Sequence, residues 1–397
     1  MYPSLSRRSF FRMAAVATAT AAVPILTEPH LAYAQRRRIA RELPPDAVRI
    51  DANENPLGPC SGACAVMSSL LPEGGRYDFE LTQKLIDTFA AQEGLKSEYV
   101  MAYAGSSEPL HYTVLAFTGP ERSYVTADPG YEAGMYAAKF SGAKIVKVPL
   151  AADHAHDVKA MVAADPNAGV LYICNPNNPT GTITSRADIE YALANKPKGS
   201  ILLVDEAYIH FCDAPSVMDM VKAGKDVILL RTFSKIYGMA GLRCGAVFAR
   251  TDLLEKIENY AGWNAMPITA LVAASASLKD AQLVPDRKHI NTRIRGEVFA
   301  WLDRNGYSYI PSEANFFMLD TKRPAKPAID AMAKQNVYIG RIWPVMPTYS
   351  RVTIGTAPEM EQFQAAWQKV MTGAVTASVG AVPISRRRNL DGIVVRA

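Results

Sequence analysis

A pattern that recurs three times in the middle of this chain constrains its fold most: a short aliphatic run ending in a cluster of polar residues. Residues 170–174 run into Asn175-Pro176-Asn177-Asn178-Pro179-Thr180-Gly181, residues 201–204 into Asp205-Glu206-Ala207-Tyr208, and residues 227–230 into the stretch 232–245. Runs this short and aliphatic, separated by helical stretches, are what buried parallel strands look like. Ligands of open parallel sheets bind outside the carboxyl ends of the strands. The polar clusters therefore mark one edge of the sheet as the functional one.

The remaining chain can be arranged around that sheet. Residues 81–93 form an amphipathic helix with Leu81, Leu85, Ile86 and Phe89 on one face, preceded by Arg76-Tyr77-Asp78. Residues 100–104 read as a strand entering Gly105-Ser106-Ser107 and a helix through Phe117; residues 123–126 and 144–149 are further strands, with a helix from Tyr131 to Phe140 between them. Residues 246–249 continue the sheet. After Thr251 the texture changes to long helices at 270–278 and 293–305, strands at 307–311, 316–319 and 352–354, and a last helix at 359–371. The expected division is 1–34 as an export signal, 35–60 as an N-terminal arm, 61–262 as a large α/β domain, 263–371 as a smaller α+β domain, and 372–397 as a tail.

Chemistry concentrates at the strand ends. Lys235 follows an aliphatic strand and precedes Gly238 and Gly241, a poor setting for a solvated charge. A desolvated lysine amine can condense with the aldehyde of pyridoxal phosphate (PLP). Arg243 and the Ser234 hydroxyl would then meet the cofactor phosphate. Asp205 emerges from an aliphatic run and needs a cationic partner, because an unpaired buried charge is costly. A pyridinium nitrogen is one such partner; a structural ion pair or a helix cap is the other explanation. The Gly105-Ser106-Ser107 turn opens a helix and offers N–H groups to an anion, as any capped helix does.

A formal charge of +5 falls to +3 without residues 1–34, too little to argue for a nucleic-acid partner. Those residues carry the basic stretch Ser6-Arg7-Arg8-Ser9-Phe10-Phe11-Arg12, an apolar run at 13–26, and Ala32-Tyr33-Ala34 as a cleavage site. The arginine pair followed by phenylalanine resembles a twin-arginine signal. The mature protein is therefore expected to begin near Gln35 and to work in the periplasm. No other apolar run is long enough to cross a bilayer. Of five cysteines, Cys60 and Cys64 are candidates for a disulfide in an oxidising compartment, and no His/Cys cluster accompanies them to suggest a metal. Cys174, Cys212 and Cys244 read as core.

Five motifs in order, Asn53-Glu54-Asn55-Pro56-Leu57-Gly58, the loop 175–181, Asp205-Glu206-Ala207-Tyr208, Ser234-Lys235 with Gly241-Leu242-Arg243, and Ala314-Asn315-Phe316-Phe317, resemble the fold-type I PLP enzymes. Within them the chain is similar to the histidinol-phosphate aminotransferase branch of the class I/II aminotransferases, over about residues 50–371. The resemblance implies a mainly parallel seven-stranded sheet flanked by helices, a smaller α+β domain, and a homodimer with active sites at its interface. It also implies small-molecule substrates, an L-amino acid and a 2-oxo acid. Lys235 would be the Schiff-base lysine and the proton shuttle, Asp205 would hold the pyridinium, and Asn178 and Tyr208 the ring oxygen. Tyr131 would stack on the ring; Ser106, Ser107, Ser234 and Arg243 would hold the phosphate, with Tyr77 donated by the second subunit. Arg351 would clamp the substrate α-carboxylate, Arg341 a distal phosphate, and Asn53, Trp263 and Asn264 would line the substrate side. Two departures stand out. Ser107 replaces an aspartate common in relatives, and export does not suit a branch whose usual substrate belongs to cytoplasmic histidine synthesis.

The expected activity is amino transfer. A PLP decarboxylase or lyase of the threonine-phosphate decarboxylase type shares nearly the same motifs and differs in which Cα bond is aligned with the ring π-system. A non-catalytic regulatory protein on this fold would have no use for Lys235, Asp205 and Arg243 together.

Overall fold

The structure, a computed structural model, describes residues 43–262 and 265–373. Residues 1–34, expected to be an export signal, the first part of the arm, Trp263, Asn264 and the tail beyond Gly373 lie outside the described residues. In chain order the first strands are β1 (Val48–Ile50), β2 (Val100–Tyr103), β3 (Ser123–Asp128), β4 (Ile145–Pro149), β5 (Ala168–Cys174), β6 (Ile201–Asp205), β7 (Val227–Thr232) and β8 (Gly245–Phe248). Strands β2 to β8 form one seven-stranded sheet in the order β2-β8-β7-β6-β5-β3-β4. It is mainly parallel, as expected, with β8 antiparallel to both its neighbours. Every residue of β5, β6 and β7 is buried, which is why these strands are aliphatic without alternation.

The order locates the site. From β3 the chain moves outward to β4, then crosses back to β5 and builds β6 and β7 in the other direction. Loops leaving β3 and β5 therefore diverge and open a crevice, the usual ligand position in such sheets. Tyr131 follows β3 and Asn178 follows β5.

Strands β9 (Tyr309–Ile310), β10 (Phe316–Asp320), β11 (Val337–Ile339) and β12 (Tyr349–Thr353) belong to the second unit, with β9, β10 and β12 antiparallel and β11 pairing in parallel with β1. Of three hydrophobic clusters among the described residues, the two larger do not part at 262/263, where the sequence places the domain border. Helix Ile268–Lys279 packs on helices Ser61–Leu70 and Phe79–Glu93 and buries Ala270, Leu271, Ala273 and Ala274 in the large cluster. Helix Leu283–Arg304 bridges both clusters, with Leu283 in the large one and Ile294, Val298 and Leu302 in the small one. Val48 and Ile50 of the arm also sit in the small cluster. The change of texture after Thr251 is a change in element type, and it does not coincide with a change of core.

All five cysteines are free thiols. Cys60, weighed above for a disulfide with Cys64, instead caps helix Ser61–Leu70 by accepting from the Ala63 N–H, while Cys64 is exposed.

Candidate active site

One cavity of about 310 Å³ lies at the carboxyl ends of β5, β6 and β7. Asn53, Ser106, Ser107, Tyr131, Asn178 and Asp205 line it, as do Tyr208, Ser234, Lys235, Arg243, Arg341 and Arg351. Tyr77 is not among the lining residues and is 81% exposed.

Asp205 ends β6, directly opposite Cys174 at the end of β5. Its carboxylate accepts from the Tyr172 hydroxyl at 3.0 Å and from the Ala207 N–H at 3.0 Å, and burial pushes its pKa up to about 6. Among the described residues no cation is bonded to it. The neighbouring Glu206 behaves differently: it turns away to pair with Arg231 at 2.8 Å and to accept from Ser216 and the Val217 N–H. The structural ion pair weighed above thus belongs to Glu206, and Asp205 holds a buried acceptor open to the cavity.

Lys235 follows β7 in a tight loop. The Thr232 hydroxyl donates to Ser234 Oγ at 3.0 Å and accepts from the Ser234 N–H. Gly238 has φ +67°, and a Cβ there would stand 2.1 Å from the Gly58 carbonyl oxygen, so only glycine lets the loop close against residues 55–58. The Lys235 amine is bonded to the Ala52 carbonyl at 3.4 Å and lies 5.7 Å from the Tyr208 ring centroid. Burial lowers its pKa to about 8, helped by the positive charges of Arg351 and Arg243. It is therefore an amine whose proton comes off near neutral pH, as nucleophilic and proton-shuttling lysines require.

Beside it Arg243, itself at φ +61°, donates to Ser234 Oγ at 3.3 Å and to the Ala240 carbonyl at 3.0 Å. Its guanidinium lies against Gly105, where a Cβ would stand 2.1 Å from Nη2. Helix Ser107–Phe117 starts at the same point, and Ser106 at its N-cap makes no side-chain capping bond. Guanidinium, three serine hydroxyls and uncapped helical N–H groups together form an anion cradle.

On the opposite wall Asn53, at φ +54°, is held by the small unit: its N–H donates to Thr353 Oγ1 at 2.9 Å and its carbonyl accepts from the Asn315 amide at 3.3 Å. Asn53 Nδ2 and Asn178 Nδ2 donate to the Tyr208 hydroxyl at 3.1 and 3.5 Å. Arg351 Nη1 donates to Asn178 Oδ1 at 2.7 Å and Nη2 to the Asp51 carbonyl at 3.0 Å, while its Nε is buried with no partner. Tyr131 shares a hydrogen bond with Ser107 at 3.4 Å. Arg341 reaches the cavity, but its guanidinium is paired with Glu132.

Tyr172, Cys174, Glu132, Asp51 and Glu54 were not anticipated from sequence. For Tyr172 a signal existed: two residues before Cys174, it shares a strand face with the position opposite Asp205. For Glu132 there was none, since a carboxylate at a helix start reads as dipole compensation.

The sequence pattern described as "Aminotransferase class I and II" matches residues 70–366. A histidinol-phosphate aminotransferase of Moorella thermoacetica is 33% identical over 339 residues, covering 82% of this chain and 86% of the relative. Among solved structures, a putative histidinol-phosphate aminotransferase from Erwinia carotovora atroseptica superposes with a TM-score of 0.80 at 32% identity, covering 84% of this chain and 99% of that one. The Sinorhizobium meliloti histidinol-phosphate aminotransferase, solved in complex with pyridoxal-5'-phosphate, shares the fold with a TM-score of 0.79 at 23% identity, covering 86% of this chain and 95% of that one. Cavity, sheet order and sequence match agree, and the chain belongs to the class I and II aminotransferase family.

Proposed function

We propose that this chain is a PLP-dependent aminotransferase of the histidinol-phosphate aminotransferase type, moving an amino group between an L-amino acid and a 2-oxo acid. The observation that carries the reading is the meeting, in one cavity, of the Lys235 amine and the buried Asp205 carboxylate, to which no cation is bonded among the described residues. The residues fit the cofactor. Asp205 offers its acceptor to a protonated ring nitrogen, Tyr208 and Asn178 offer hydrogen bonds to the ring oxygen, and the cradle of Ser106, Ser107, Ser234 and Arg243 suits a phosphate.

When bound, PLP supplies an electron sink for the pair left at substrate Cα. Asp205 would accept from the protonated ring nitrogen and so keep this sink effective. Arg351, with an unused Nε, clamps the donor α-carboxylate and so fixes which Cα bond faces Lys235. Lys235 Nζ would carry the proton between substrate Cα and the cofactor carbon C4′ on the far side of the imine nitrogen, a role that its lowered pKa suits near neutral pH.

A homodimer is part of the same reading. Leu57, Val66, Leu71, Tyr77 and Phe79 are all exposed within one short segment, and Tyr77 would then reach the phosphate of the second subunit's site. We also propose export to the periplasm, supported by the Arg7-Arg8 signal and the Ala32-Tyr33-Ala34 cleavage site.

The test is the near-visible spectrum of purified protein with PLP, before and after single amino acids are added. A cofactor band that one amino acid bleaches with release of its 2-oxo acid is the expected result. Release of carbon dioxide instead would favour a decarboxylase, and absence of any band with added PLP would overturn the role given to Lys235.

A further inference from the structure

Tyr172 stands behind the cavity and does not line it: it is fully buried in β5 and places its hydroxyl 3.0 Å from Asp205 Oδ2. An ionised carboxylate can only accept, so the phenol donates. The Ala207 N–H holds Oδ1 at 3.0 Å. Each carboxylate oxygen thus has one donor from the protein, and lone pairs remain for a partner in the cavity, which Asp205 lines.

The same sheet face offers an internal comparison. Val125 of β3 is opposite Leu171 of β5, so Tyr124, Thr126 and Tyr172 share one face. Tyr124 is also fully buried, and its ring centroid lies 6.1 Å from that of Tyr172. The helix after Tyr131 passes so close that a Cβ on Gly134 would stand 2.2 Å from the Tyr124 hydroxyl oxygen. Yet that hydroxyl has no hydrogen-bond partner among the described residues. Two neighbouring buried tyrosines therefore differ in one respect: Tyr172 is bonded to Asp205 and Tyr124 is not.

The other ionisable groups around Asp205 do not replace this bond. Burial and the adjacent Glu206 both oppose its charge; Lys235, after β7, favours it but is bonded to the Ala52 carbonyl instead. Cys174, opposite on β5, keeps its proton because burial pushes its thiol pKa up. Burial likewise pushes the Tyr172 phenol well above its ordinary range, so it remains a donor at neutral pH. The charge state of Asp205 matters to the ring: an ionised carboxylate accepts from a protonated ring nitrogen, whereas a protonated one would donate to an unprotonated nitrogen and leave a weaker electron sink.

We propose that Tyr172 is a positioning residue for the ring nitrogen: by donating to Asp205 from behind, it keeps the carboxylate an acceptor toward the cavity, so that the proton shared between carboxylate and ring stays on the ring. This rests on the PLP reading and deepens it.

The experiment compares wild type, Tyr172→Phe and Tyr124→Phe, two variants that lose the same atom from neighbouring places. In the cofactor-free proteins Asp205 is titrated through the infrared carbonyl band of its protonated form, identified by its loss in Asp205→Asn. Tyr172→Phe is expected to raise the midpoint by about one pH unit, a tenfold change in the dissociation constant, and Tyr124→Phe to leave it in place. Equilibrium dialysis then measures affinity for PLP and for its 1-deaza analogue, in which C–H replaces the ring nitrogen. Wild type should hold PLP about tenfold more tightly than Tyr172→Phe does, with no such advantage for the analogue, while Tyr124→Phe should bind both as wild type does. A Tyr172→Phe penalty equal for the two cofactors, an Asp205 midpoint that stays put, or an equal loss in Tyr124→Phe overturns the inference and leaves the PLP reading standing. If wild type binds neither cofactor, the PLP reading falls and takes this inference with it.

Discussion

Lys235 illustrates what burial does to a single group. Its pKa falls from 10.5 to about 8 because the charged form loses solvent. A base whose folded pKa is depressed contributes full stability only above its unfolded value, and that contribution is lost as pH falls through 10.5 toward 8. Lys235 is only half-buried, so solvent screens part of the effect, leaving about 2 kcal/mol of destabilisation in the cofactor-free protein at pH 7. Lys235→Met without PLP is therefore expected to melt above wild type at pH 7, with the difference gone near pH 10.5; a difference independent of pH would refute the assignment. At Asp205 the Tyr172 hydroxyl favours the ionised carboxylate. Tyr172→Phe should lower PLP affinity by about tenfold, the worth of a hydrogen bond to a charged group, as measured by equilibrium dialysis. Lys235 and Asp205, which both line the cavity, could be singled out in the sequence because a charge at the end of an aliphatic strand demands a partner. Tyr172 was not, since a tyrosine in a buried strand reads as core until the register places it beside Asp205. Glu132 was hidden for a similar reason: its partner Arg341 lies 209 residues away.

Among the elements, β5, β6 and β7 were the plainest in the sequence, because strands covered on both faces have no alternation to misread. The short strands β1 and β11 were missed: three residues each, they gain their identity only by pairing with one another. Helix Leu283–Arg304 was recognised only in its second half, because its first turns pack on the other core. Where β8 meets the Gly105-Ser106 turn, steric need is visible in one atom. A Cβ on Gly245 would stand 2.4 Å from the Ser106 amide nitrogen and 2.7 Å from the Gly105 carbonyl carbon, both backbone atoms that have nowhere to go. Gly245→Ala should therefore move β8 or the turn, costing about 2–4 kcal/mol by denaturant unfolding and loosening PLP. At the last helix, Ala357–Met371, Thr356 and Glu359 form a reciprocal capping box. Thr356→Ala should cost only about 1 kcal/mol and leave PLP binding intact, so the pair of variants separates damage to the site from damage to the scaffold.

For the molecule as a whole, fold class and cavity could be anticipated from sequence, whereas the division into cores could not, because helix Leu283–Arg304 and the arm strand β1 tie the two units together. Residues of both units meet at the cavity: Arg351 on β12 reaches Asn178 after β5, and Thr353 holds Asn53 against Tyr208. What one chain leaves uncovered points outward. Leu71 is 65% exposed and Phe79 53%, and Tyr77 stacks on Phe79 with centroids 6.1 Å apart, although side chains of this size are normally covered. Under the proposed dimer this segment lies at the subunit interface and Tyr77 completes the partner's phosphate cradle, so association and cofactor retention are linked by mass action. Leu71→Asp together with Phe79→Asp should shift sedimentation from dimer to monomer and weaken PLP retention in the same concentration range. Tyr77→Phe should leave the dimer whole and weaken retention alone, by about three- to tenfold for one lost hydrogen bond to an anion. If the double variant became monomeric with PLP still tightly held, the second subunit would have no part in the site, and the exposed segment would need another explanation.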